Sequence, residues 1–383
     1  MDKKPPLFQD TNFKIMKTKT LRILIPLISF YFIACTEIKK NIKETEKPKE
    51  VKIEETIEDT IWIAAVGDMV PGSDHGRIAL PPDEGRTLFT DLKSYISESD
   101  LAFANFEGVV SGCKCPVRSC NNDTVYCYRF QVPEYSVQRM KEAGFDILNI
   151  ACNHLGDFNE LGRKFNTNKL IEMGFEPAGS VERPCTVFEK DGVKYGFCAF
   201  GEFYGCIGIR DSVKLLKVLR ETVEKSDVMI VSLHGGAEGP KYRRVPRKDE
   251  IFLEHNRGNM YKTAHLCIDN GADVIIGTGP HVVRAIELYK NRMIMYSLGN
   301  FCTYGPFGKH ETTRHSPLMQ IGINKKGEFL AARAIPTKQI DKGIPRYDSS
   351  GLALKHLREL TNLDFPDTDL TIAEDGKISK KKK

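Results

Sequence analysis

Apolar runs in this chain repeatedly end at small polar signatures. Residues 61–66 are apolar throughout and give way to Gly67-Asp68. Residues 101–104 lead into Asn105-Phe106-Glu107, and residues 147–151, broken only by Asn149, lead to Asn153-His154 with Asp157 beyond. Residues 228–233 meet His234, with Glu238 shortly after. Residues 272–276 pass through Gly277 to Pro280-His281, and residues 293–296 run into Ser297-Leu298-Gly299-Asn300. Runs of this length and β-branched content predict strands buried on both faces, with helices between them. The stretch 136–143 predicts a helix, with Gly144 as its C-cap. A helical apolar pattern also covers 260–268, which packs His265 against the core, and a further helix is predicted over 351–361.

In an open α/β sheet the strand ends face one crevice, so polar groups placed there converge. The converging set holds Asp, Glu, Asn and His, which are ligands for a hard or borderline divalent metal. Each signature alone has an ordinary reading. Asp68 after a strand-terminal glycine is usually a turn or cap residue. Glu107 and Glu238 alone are surface acids, and His154 alone is a loop histidine. The ordered series selects the metal reading.

The chain has 383 residues with 41% hydrophobic content, ample for a core. The signatures span Asp68 to Asn300 in one alternating α/β pattern, which favours a single catalytic-type domain. The net charge of +5 sits largely in the tail Lys380-Lys381-Lys382-Lys383. It lacks the basic stripe with aromatics that a nucleic-acid binder presents.

The N-terminus reads as targeting. Residues 14–22 are basic, and residues 23–34 are apolar apart from Ser29. That run is shorter than the ~20 residues that span a bilayer and fits a signal peptide, with Met16 as a plausible start. It closes on Phe32-Ile33-Ala34-Cys35, which resembles a bacterial lipobox in which Cys35 is lipidated. Residues 36–59 are Lys/Glu-rich and read as a polar tether. The expected plan is a signal peptide and lipobox over 1–35, a tether over 36–59, the domain over 60–335, and a C-terminal helical extension with a basic tail over 336–383. It implies an exported protein, lipid-anchored in the cell envelope.

Of the 11 cysteines, Cys113, Cys115, Cys120 and Cys127 crowd one polar stretch. In an exported protein disulfides are the first reading of such a loop, with zinc as the competitor. Cys152, Cys198 and Cys267 lie in apolar contexts and read as inert core residues.

Taken together, the signatures resemble the CapA family of poly-γ-glutamate capsule synthesis proteins. The residues that carry the resemblance are Val66-Gly67-Asp68-Met69, Asn105-Phe106-Glu107-Gly108, Asn153-His154-Leu155-Gly156-Asp157, His234-Gly235-Gly236-Ala237-Glu238, Gly279-Pro280-His281-Val282 and Ser297-Leu298-Gly299-Asn300. The resemblance implies an αββα sandwich of two mixed β-sheets flanked by helices, metallophosphatase-like, with a metal centre at the strand ends. It implies one or two divalent ions, of the Mn, Fe or Zn type. Asp68, Glu107, Asn153, His234 and His281 would be ligands, His154 the residue facing substrate, and Asp157 the group that orients it. Asn105, Glu238, Ser297 and Asn300 would line or support the site.

One position departs from the family pattern. Relatives commonly carry a histidine where this chain has Thr278, a poor ligand, which points to one metal or weaker binding. No other histidine (His255, His265, His310 or His315) is selected by spacing as its substitute. A basic stretch with Arg243 and Arg244 follows Glu238 and would guide an anionic ligand by its field.

Two function classes follow. One is a metal-dependent hydrolase of a phosphate ester or related bond. The other is a non-catalytic polymer-binding or assembly factor that keeps the fold. Expected partners are an anionic substrate or polymer (a phosphate ester or polyglutamate), the membrane through the lipid anchor, and other capsule-synthesis membrane proteins, with no nucleic acid. A Cys or Ser nucleophile is disfavoured, because no strand-borne nucleophile turn is present.

Overall fold

A computed structural model of the chain describes residues 60–76, 78–119, 127–305 and 310–381. The expected signal peptide, Cys35 and the tether lie outside the described residues.

Two sheets form the body. In the larger, the strand Ile61–Val70 lies at the centre. On one side it pairs in parallel with Leu101–Phe106, which pairs in parallel with Ile147–Asn149 and then Glu176–Ala178. On the other side it pairs antiparallel with His315–Ile323, followed antiparallel by Phe329–Ile340. Asn300–Thr303 joins the far end of the Ile61–Val70 strand in parallel. The second sheet has a parallel core, Arg292–Met295, Val274–Thr278, Val228–His234 and Val193–Gly201. Antiparallel strands Ile286–Tyr289 and Cys185–Lys190 close its edges. Both sheets are mixed, as expected.

Side-chain alternation along the strands separates three apolar layers. Ile61, Ile63 and Ala65 face the inter-sheet core with Phe197, Val228, Ile230, Val274 and Ile276. Phe103 from the larger sheet meets Phe197 from the smaller edge-on, at 5.9 Å between centroids. Ala64 and Val66 point the other way, to a layer with Val137 and Met140 of the helix Glu134–Ala143. Met229, Val231 and Leu233 pack against Leu215 and Leu219 of the helix Ser212–Val223 and Ala264 and Cys267 of the helix Met260–Ile268. This is the four-layer αββα sandwich. Strands buried on both faces explain the near-continuous apolar runs. Each fully buried large apolar side chain contributes roughly 1.5–3 kcal/mol. Local chemistry fixes the helix starts: Asp211 accepts from the Lys214 N–H and Asn259 from the Lys262 N–H. Gly144 closes the helix Glu134–Ala143 at φ 106°.

The described part of the C-terminal segment, residues 336–381, is woven into this body. The strand Phe329–Ile340 runs through residue 336, Ile344–Tyr347 pairs back onto it, and Leu370–Ile372 and Lys377–Lys380 extend the larger sheet. The helix Leu352–Asp364 sends Leu354 and Leu357 into the inter-sheet core. Among the described residues no helix is long and apolar enough to cross a membrane.

Cys113 and Cys115 form a disulfide, and Cys127 is also disulfide-bonded; Cys120 lies outside the described residues. These thiols are not free to bind zinc. Cys198 corrects an expectation, because it is disulfide-bonded to Cys185 rather than inert. The two residues face each other in the antiparallel pairing of Cys185–Lys190 with Val193–Gly201. Cys152 and Cys267 are free and buried, as expected.

Candidate metal centre

Each sheet contributes a row of polar residues at the C-terminal ends of its parallel strands. In the larger sheet, register places Asn149 beside Asn105, Asn105 beside Asp68, and Asp68 beside Asn300. Hydrogen bonds run along that row. The Asn149 amide donates to Asn105 Oδ1 and the Asn105 amide to Asp68 Oδ1, both at 2.8 Å. In the smaller sheet His234 lies beside Thr278. Gly67 is required beside Asp68. A Cβ there would stand 1.8 Å from the Gly299 carbonyl, whose oxygen accepts the Asp68 N–H at 2.8 Å. The turn after Thr278 is equally constrained. Gly279 has φ 104° and His281 the left-handed φ of 58°, a conformation that costs energy in a non-glycine residue.

The rows meet at a buried cluster. One ligand atom from each of Asp68, Glu107 and His234 lies within 4.8 Å of the others. Glu107 Oε1 and His234 Nε2 are buried, 3.4 Å apart, and make no hydrogen bond, while the buried Asp68 Oδ2 faces His281 Nδ1 at 2.9 Å. Asn153 Oδ1, on the turn that carries His154, is also buried without a partner. Buried polar atoms are nearly always paired. Here Glu107 Oε1, Asn153 Oδ1 and His234 Nε2 go without a hydrogen bond, while Asp68 and His234 are anchored through Oδ1 and Nδ1. Two carboxylate oxygens and an imidazole nitrogen converging in this way suit a divalent ion of the Mn, Fe or Zn type.

Thr278 holds the other side of His234, with Oγ1 2.9 Å from Nδ1. Donation of the Nδ1 proton to that hydroxyl leaves the Nε2 lone pair toward Glu107, 3.4 Å from its Oε1. Thr278 is therefore an orienting residue. His281 Nδ1 lies 2.9 Å from Asp68 Oδ2 and 2.8 Å from Asn300 Oδ1, and its Nε2 lies 4.0 Å from Glu238 Oε2.

The electrostatics follow from two carboxylates in one dry site. Burial raises the Asp68 carboxyl, but the charge of His281 and its hydrogen bond outweigh it and hold it below its ordinary value. Burial, then the Asp68 charge, pushes Glu107 up to about 7. Burial pushes His234 down to about 3, so it is a neutral imidazole. Burial opposes charge on His281, yet Glu107 and Asp68 hold its imidazolium to about 9. Without a metal, protons on Glu107 and His281 balance the carboxylates.

Beside the cluster, His154 Nδ1 donates to Asp157 Oδ2 at 2.8 Å. Asp157 is fully buried and also accepts from the Phe130 N–H at 2.9 Å and from Arg118 Nη2 at 3.1 Å. The imidazole is thus fixed in one tautomer, against the Phe130 ring at 4.4 Å.

Other expected residues land elsewhere. Ser297 only braces its own turn, accepting from the Gly299 N–H at 3.3 Å. Arg244 pairs with Asp364 and donates to the Leu363 carbonyl at 3.1 Å, and Arg243 is half-buried near Glu359. Both arginines brace the loop against the helix Leu352–Asp364, because the chain turns at Gly239 (φ 95°) and runs along that helix. Among the described residues neither touches the cluster. Glu238 pairs with Arg257 rather than with His234. Arg257, Asn149 and the hydroxyl of Thr278 are site residues that sequence reasoning missed. Only Asn149, a polar break in an apolar run, carried a local signal. His265 bonds Glu287 at 2.9 Å and stacks on Tyr289, away from the cluster.

The profile of the family described as Bacterial capsule synthesis protein PGA_cap matches residues 62–304. The chain is 27% identical over 374 residues to the capsule biosynthesis protein CapA of Bacillus anthracis, covering 91% of this chain and 84% of that protein. It is 24% identical over 298 residues to the PGA biosynthesis protein CapA of Bacillus subtilis strain 168, covering 73% and 72% respectively. A solved structure of a putative 5'-nucleotidase from Staphylococcus aureus, in complex with alpha-ketoglutarate, is similar at a TM-score of 0.39 and 12% identity, covering 76% of this chain and 53% of that one.

Proposed function

The chain belongs to the PGA_cap family of bacterial capsule synthesis proteins, and from that premise we propose that it is a cell-envelope protein of poly-γ-glutamate capsule or polymer biosynthesis that hydrolyses a phosphate ester or related bond with the help of one divalent metal. The observation that carries the proposal is the buried convergence of ligand atoms from Asp68, Glu107 and His234, in which Glu107 Oε1 and His234 Nε2 make no hydrogen bond, with the buried, unpartnered Asn153 Oδ1 as the further ligand. A structural polar core would pair those atoms; a metal site keeps them free. The commitment of Thr278 to His234 supports one ion rather than two. A divalent ion supplies Lewis-acid activation of water and neutralises charge on a phosphoryl group. His154 is placed to give a proton from Nε2 to a leaving oxygen, and Asp157 holds its Nδ1 proton so that Nε2 is the working atom.

Lipid anchoring through Cys35 and contact with other capsule-synthesis membrane proteins complete the proposal. The same Thr278 supports the second reading, a polymer-binding or assembly factor on a retained fold. Metal analysis and phosphodiesterase assays of the purified protein separate the two. Expected are about one equivalent of metal, lost in Asp68→Ala, and a His154→Ala form that keeps metal but loses ~10²–10⁴-fold in turnover. No bound metal, and no activity with manganese, iron or zinc, would leave the assembly role.

A further inference from the structure

The loop after His234 returns past the metal centre at Arg257. Its backbone is fixed there: the Arg257 carbonyl accepts the Gly236 N–H at 3.0 Å, and its N–H donates to the Glu250 carbonyl at 2.7 Å. The side chain is only 10% exposed. Its guanidinium lies 4.6 Å from the Phe203 ring centre and 5.6 Å from that of Phe252. Phe203 also packs on His234, at 5.5 Å between ring centres. A guanidinium held on aromatic faces keeps its N–H edge for an oxyanion. That edge is incompletely used. Glu238 pairs with one terminal nitrogen, and the buried Nε has no partner. Glu238 in turn reaches to 4.0 Å from His281 Nε2, so the cation and the metal centre adjoin through it.

We propose that Arg257, held by Phe203 and Phe252, is an anion subsite beside the metal centre that binds an oxyanion group of the substrate, a phosphoryl or a carboxylate, in exchange for Glu238. The placement rests on the hydrolase reading, since that reading puts substrate here. A planar fork with an unused Nε accepts such a group through two parallel N–H bonds. Glu238 swings off the guanidinium as the ligand arrives, so it competes with the ligand.

The test is calorimetric titration of the full chain, metal-free and manganese-loaded, with inorganic phosphate and separately with the dipeptide γ-glutamyl-glutamate. Arg257→Ala is expected to weaken binding ~10–100-fold, the worth of hydrogen bonds to a charged group. Arg257→Lys, which keeps charge but loses the fork, falls between Arg257→Ala and wild type. Glu238→Gln binds severalfold tighter, and the exposed Lys241→Ala binds as wild type. Binding of phosphate, of the dipeptide or of both supports the subsite, and the preference names the source of the oxyanion. Wild-type protein that binds neither overturns it. So does Arg257→Ala that binds like wild type with metal content intact. Should Arg257→Ala fail to fold, an Arg257→Lys form no weaker and a Glu238→Gln form no tighter than wild type overturn it equally. Because metal-free protein is titrated too, absence of turnover or metal in the wild type would defeat the hydrolase reading separately.

Discussion

Two glutamates of the loop that follows His234, Glu250 and Glu238, pair with arginines, and the pairs differ in how completely they are satisfied. Arg284 is fully buried and donates to both oxygens of Glu250 at 2.8 Å. It also donates to the carbonyls of Tyr242 at 2.8 Å and Ala237 at 3.0 Å. Glu250 further accepts the Ala237 N–H at 3.0 Å. Arg257 has Glu238, two aromatic faces and an idle Nε. The first pair closes its hydrogen bonds on itself and ties the loop down. The second leaves donors open at the edge of the cluster. The same contrast separates Asp157, whose oxygens are all engaged around His154, from Glu107, whose buried Oε1 makes no hydrogen bond. Saturated buried polar groups build the scaffold, and unsaturated ones mark where something binds.

The largest effect should come from breaking the saturated pair. Glu250→Ala strands a buried cation and is expected to cost ~3–5 kcal/mol in urea denaturation. Glu238→Ala, which removes a partly exposed carboxylate from an arginine that keeps two aromatic faces, should cost at most ~1–2 kcal/mol. Equal losses would dissolve the distinction between the pairs.

The next effect is in pH. Glu107 and His281 both have folded values raised above their unfolded ones, from 4.5 to about 7 and from 6.5 to about 9. A raised group favours the folded state below its unfolded pKa, and that contribution is lost as pH rises through the folded pKa. The Glu107 contribution is therefore lost between about pH 4.5 and 7 and the His281 contribution between about pH 6.5 and 9, and over the second window metal-free protein should lose on the order of 3 kcal/mol. His234, held down to about 3, acts in the opposite sense only below its ordinary 6.5. Metal binding needs these protons gone, so the melting-temperature gap between metal-loaded and metal-free protein should widen with pH across that window. A constant gap would show that protons do not balance the cluster.

The smallest expected effect tests orientation. Thr278→Val keeps shape but removes the hydroxyl from His234 Nδ1, and should weaken manganese affinity ~10-fold in calorimetry with little change in folding. Unchanged affinity would remove Thr278 from the site.

The sequence by itself determined six of the parallel strands, because a strand buried on both faces must be apolar along its length, but not Glu176–Ala178, Val193–Gly201 or Asn300–Thr303. It pointed to Asp68, Glu107, Asn153, His154, Asp157 and His234, because each sits at or just after such a run's end, and the fold brings Asp68, Glu107 and His234 into one cluster. It said nothing of the antiparallel strands His315–Ile323, Phe329–Ile340 and Lys377–Lys380, and cut the domain at residue 335, inside one of them. Their residues pair with partners far away in sequence, and local periodicity does not report distant pairing. Which basic residue stands by the centre was likewise a tertiary decision. Arg243 and Arg244 follow the signature closely, yet Gly239 turns them onto the C-terminal helix, while the pairing of residues 250 and 257 carries Arg257 back. The Cys185–Cys198 bond arose the same way, from register across two strands. Ligand type follows from local chemistry; the position of a charge depends on how loops cross, which is set by contacts between segments that the sequence keeps apart.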